Sequence, residues 1–144
     1  MNLALSIAVL LTVSGPGQVA GDATADGIFH RYSRVASGLA ADQLAGVKEE
    51  AEQIADAAIQ IAGGAKIAAG ARELVASRDL AHARSAFSNL SDAVIAFVRA
   101  THRELTGSSI VYCPMADKYW IQQGHNIKNP YYGASMLTCG KFVK

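Results

Sequence analysis

The sequence predicts an all-α protein, an antiparallel four-helix bundle with an irregular, Cys/Met-containing C-terminal segment packed on it. Three observations predict this. Alanine is abundant and β-branched and aromatic residues are sparse through the middle of the chain, a composition that favours helix. Apolar residues recur every three or four positions in four successive stretches. From Gly107 onward that rhythm stops, and Gly, Pro, Asn and Ser punctuate every few residues. At 144 residues the chain fits one domain with a single core.

The segments before the first periodic stretch read differently. Leu3 to Val13 is an apolar run broken only by Ser6 and Thr12, followed by Ser14-Gly15-Pro16-Gly17 and small residues. That order is expected of a secretory signal peptide covering residues 1–23, with cleavage after Ala20 or Ala23, although no Lys or Arg precedes the run. The run is shorter than the roughly 20 apolar residues a spanning helix needs. The expectation is therefore a periplasmic or secreted protein with no membrane anchor after cleavage, and a mature domain spanning 24–144.

In the mature part, Ile28, Tyr32, Val35 and Leu39 share one face of a first helix. Asp42 is placed to cap a second helix, whose seam is Leu44, Val47, Ala51, Ile54, Ala58 and Ile61 and whose end is Gly63-Gly64. A third, short helix is expected from Ala65 to about Ser77, interrupted by Gly70. Asp79 caps a fourth, running to about Glu104 with Leu80, Ala83, Phe87, Leu90, Val94, Phe97 and Thr101 on its seam. Arg84 on that helix reads as part of a solvated face, with anchoring of the tail as the less common alternative. His30, His82 and His102 read as surface histidines.

Several function classes lose their footing here. The formal net charge is +1 and the basic residues are scattered among acidic ones, which leaves no footprint for nucleic acid. There is no Gly-rich phosphate loop and no GxSxG, so no enzyme is expected.

The chemistry lies in the tail from about residue 107, which holds both cysteines and the single Trp. Ile110-Val111-Tyr112 reads as a short strand and the rest as ordered but non-regular chain. Two elements mirror each other: Cys113-Pro114-Met115 and Met136-Leu137-Thr138-Cys139. Thiolates and thioethers are soft ligands that select Cu(I) and similar ions. Cys113, Met115, Met136 and Cys139 thus form a candidate site for Cu(I) or Ag(I), with His125 as a further donor and Trp120 as a ring to lie against the ion. The competing reading is a Cys113–Cys139 disulfide, the common fate of two cysteines in an exported protein. It would close a loop of about 26 residues, worth roughly 3–4 kcal/mol in the chain-entropy picture. The methionines would then be ordinary packing residues, and the protein a module for interaction with other proteins that never touches metal.

Val111-Tyr112-Cys113-Pro114-Met115-Ala116, Trp120, Ile127-Lys128-Asn129-Pro130-Tyr131-Tyr132-Gly133 and Met136-Leu137-Thr138-Cys139-Gly140 together resemble a bacterial domain family of unassigned function. The stretch Ala83 to Ser91 resembles that family's last long helix. Members occur as exported stand-alone proteins or attached to the periplasmic adaptors of copper and silver efflux pumps. The resemblance runs from about Gly27 to Gly140, but only Asp117, Lys118 and Tyr119 stand between the CPM element and Trp120, where the family is longer. It implies a periplasmic helical domain tied to heavy-metal efflux, with such an adaptor as partner, and it brings the metal reading forward.

Overall fold

A computed structural model describes residues 16–143. The apolar run Leu3–Val13 lies outside the described residues. Four helices come first: α1 (Pro16–Ala40), α2 (Ala45–Ala58), α3 (Ala65–Val75) and α4 (Leu80–Ala100). Three strands follow, β1 (Ser108–Cys113), β2 (Lys118–Gln123) and β3 (Lys141–Val143), with a short 3-10 helix (Gly133–Met136) before the last. The strands form an antiparallel sheet in the order β2-β1-β3.

The all-α expectation is therefore corrected: the protein is mixed α/β, and its tail carries a three-stranded antiparallel sheet. Only the Ile110–Tyr112 strand follows the sequence reading, inside a longer β1. The reason lies in β2. Its residues Trp120, Ile121 and Gln122 are all buried in succession, so the alternation that marks a half-buried strand is missing. β2 is the strand that packs against the helices, on α4 chiefly and on α1.

The helical half follows its periodicity closely. Ile28, Tyr32, Val35 and Leu39 are buried on α1, as are Val47, Ala51, Ile54 and Ala58 on α2, and Ala83, Phe87, Leu90 and Val94 on α4. Asp79 caps α4, its carboxylate accepting from the His82 amide at 2.8 Å. Gly70 does not interrupt α3. It lets that helix lie on α4, since a Cβ there would stand 2.8 Å from the backbone N and Cα of Leu90. α2 stops at Ala58, one turn before Gly63-Gly64.

Each helix packs chiefly on its neighbours in sequence, while α1 and α4 meet sparingly and through large side chains. Tyr32 stacks on Phe87 at 5.3 Å between ring centres, and β2 lies against both helices. The residues expected at the cleavage point sit in the first turns of α1, where Asp22 and Asp26 receive the Arg103 guanidinium at 2.6 and 2.7 Å. Among the described residues, no helix is long and apolar enough to cross a membrane.

Candidate functional site

The arm is fixed to the bundle by buried aromatic rings and shared carbonyls. Tyr131 sits 5.5 Å from Phe87 on one side and meets Trp120 edge-on at 6.0 Å on the other. The Tyr119 carbonyl accepts from the Ser91 hydroxyl at 2.9 Å and from the Tyr131 hydroxyl at 2.5 Å. The Tyr32 hydroxyl bonds Ser91 at 2.6 Å and accepts from the Ile121 amide at 3.1 Å. Burial holds the Tyr32 and Tyr131 phenols well above their ordinary value, so both stay neutral donors.

A second fixing point corrects two expectations. Asp42 does not cap α2, whose N-cap is Leu44 without a side-chain bond. Asp42 has φ +58 and its carboxylate accepts instead from the Ala134 amide at 3.0 Å and from Arg84. Arg84 does not belong to a solvated face: it also donates to the Pro130 and Leu39 carbonyls, each at 3.1 Å. The Ala134 amide first, and then Arg84, hold the Asp42 carboxyl below the usual carboxylate range. Gly133 must be Gly, because φ is +55 and a Cβ would run into this ion pair.

Within this frame the two sulfur-bearing ends of the arm converge. β1 and β2 form a hairpin whose turn, Pro114 to Asp117, carries the CPM element, with Asp117 at φ +52. Cys113 ends β1 fully buried, and Cys139 follows the 3-10 helix half-buried, with 3.2 Å between the sulfurs. Asn129, itself fully buried, holds the returning chain in place. Its side-chain amide donates to the Cys139 carbonyl at 2.7 Å, its carboxamide oxygen accepts from the Tyr131 amide at 2.8 Å, and its own backbone N–H donates to the Leu137 carbonyl at 2.7 Å.

The electrostatics of the pair are unequal. Burial alone would push the Cys113 thiol up, but the Ala116 amide, Cys139, Asn129 and the Met115 amide outweigh it and bring the thiol below its ordinary value. Contact with Cys113, desolvation and the neighbouring charge together raise Cys139 against the Met115 amide. The two shifts run in opposite directions, so Cys113 is the more acidic thiol of the two, and its sulfur accepts from the Ala116 amide at 3.4 Å.

The other candidate residues divide. Met115 is exposed on the hairpin turn. Met136 ends the 3-10 helix half-buried, its carbonyl accepting from the Cys139 amide at 3.0 Å. Trp120 shares the sheet face of Cys113 and is fully buried, with its indole N–H donating to Gln122 at 3.2 Å. His125 is exposed beyond the far end of β2, roughly 17 Å along the strand from the cysteine end, and lines a groove with Ser33 and Ser37. Among the described residues, no group of three or more His, Cys, Asp and Glu side chains converges on a point. The converging donors are the two thiols, with thioether-bearing chain on either side. Asn129, Asp42 and Arg84 are the residues that sequence reasoning did not assign to the site; Asn129-Pro130 signals a turn, but nothing local marks the long-range bonds.

Comparisons with family models, with curated proteins and with solved structures find no match for this chain.

Proposed function

We propose that this protein is an exported soft-metal carrier, taking Cu(I) or Ag(I) on the Cys113–Cys139 pair in connection with heavy-metal efflux or resistance. One observation supports it above the others: two sulfurs from opposite ends of the arm lie 3.2 Å apart beside the methionine-bearing turn. Their chemistry fits a soft monovalent ion better than zinc, whose sites are built from Cys and His sets. A metal–thiolate bond of about 2.3 Å requires the sulfurs to part, by roughly 0.6 Å for a tetrahedral angle and about 1.4 Å for a linear one. Met115, exposed on its turn, and Met136 are the thioethers at hand, and the helices serve as a rigid platform. The periplasmic setting and an efflux adaptor as recipient rest on the tail motif's resemblance and on the apolar run at the start of the chain.

Anaerobic titration of the reduced protein with Cu(I) against a competing chelator tests this. One equivalent bound more tightly than about micromolar is expected, and weaker binding removes the reading. A Met115→Leu, Met136→Leu double variant should lose affinity and keep its thermal midpoint, because Leu and Met have similar volume.

The same distance favours a second reading, in which the pair closes to a disulfide that pins the arm of an interaction module. Bond formation at about 2.05 Å needs only roughly 1.1 Å of approach. A quantitative bridge in protein purified from the periplasm, with no Cu(I) uptake after reduction, would favour it over the carrier.

A further inference from the structure

The two cysteines differ in what can reach them. Cys113 has no exposed surface: it lies at the end of β1, under the Ala116 amide and beside Asn129. Cys139 lies half-buried on the returning arm, between the 3-10 helix and β3, next to the exposed Leu137 and Thr138. Displacement at a disulfide needs the attacking sulfur in line with both sulfurs of the incoming reagent, so a sulfur without surface cannot start it. The buried sulfur is nonetheless 3.2 Å from its neighbour.

We propose that the pair performs thiol–disulfide exchange in a fixed order, with Cys139 attacking an incoming disulfide and Cys113 resolving the adduct. The reagent is a disulfide, RS–SR′, of glutathione type or carried by a protein. In the first step the Cys139 sulfur bonds to RS and expels R′S⁻, which takes up the proton that Cys139 loses. In the second, the Cys113 sulfur attacks Cys139, the Cys139–SR bond breaks, and RS⁻ leaves and is protonated by the hydrogen Cys113 gives up. Two electrons pass from the cysteine pair to the reagent, and the products are one intramolecular disulfide and two thiols. The inference needs only the sulfurs and stands independently of metal uptake.

The test uses the reduced full chain with glutathione disulfide at fixed pH, quenched by alkylation and read by mass spectrometry. The native protein should pass to the Cys113–Cys139 disulfide without a lasting mixed adduct. Cys113→Ser should accumulate the glutathione adduct on Cys139, and Cys139→Ser should react at least about tenfold more slowly. In denaturant the two variants should react alike, which separates an effect of burial from one of chemistry. Brief alkylation of the unaltered reduced protein, mapped by peptide, should label Cys139 before Cys113 and needs no variant to fold. Equal native rates for the two variants, preferential labelling of Cys113, or a native protein that stops at the mixed adduct would each overturn the order. Loss of Cu(I) binding with the order intact would refute the carrier alone.

Discussion

The helices and the arm are held together by different means. In α2, α3 and α4 the buried residues are mostly Ala, Ile, Leu and Val, with Phe87 the aromatic exception, and contacts run between neighbours in sequence. In the arm, the fixing residues are Trp120, Tyr131 and Asn129, and the arm is tied to α4 by contacts that are distant in the chain, Tyr131 with Phe87 and Pro130 with Arg84. Apolar packing is non-directional and tolerates small shifts. Hydrogen bonds and ring contacts set direction and distance, which a pair of sulfurs needs in order to meet. The bundle thus supplies stability, and the arm supplies position.

Trp120→Ala gives the largest test of that division. Removing a fully buried indole should cost about 3–5 kcal/mol in urea unfolding, and should also slow closure of the cysteine pair after oxidation. Leu74→Ala on α3 is expected to cost a similar amount, about 2–5 kcal/mol, while closure proceeds at the native rate. If both variants slow closure equally, the two regions are one unit. Next in size is the bond itself: oxidised protein should exceed reduced protein by about 3–4 kcal/mol, read from the urea midpoints. The smallest effect concerns Asp42. Its folded carboxyl is held below the ordinary value, so the stability it contributes is present above about pH 4 and disappears as the pH falls through the lower folded value. Asp42→Asn should therefore lower the thermal midpoint at pH 6 and converge with the native protein near pH 2, and parallel curves would show that the carboxylate does not act through its charge.

What could be read beforehand follows the same division. The seams of the helices are local, repeated every three or four residues, and Asp79 caps a helix that begins at the next position. The meeting of the cysteines was suggested by the mirrored CPM and MLTC elements. β2 was hidden because Trp120, Ile121 and Gln122 are all covered, so no two-residue period marks it. Asp42 looked like a cap from its neighbours in sequence, yet its partner amide belongs to Ala134. Arg84 reads as an ordinary helix-surface cation until Pro130 is folded onto it. Nothing in a local window carries such pairings.

Asn129 has one consequence for how the arm keeps its place. Its carboxamide spans from Tyr131 to Cys139, so it sutures the two ends of the returning loop with bonds that neither metal nor oxidant supplies. The position of Cys139 beside Cys113 therefore does not depend on a bond between the sulfurs. The effective molarity of one thiol towards the other is built into the fold, so the two meet without a search.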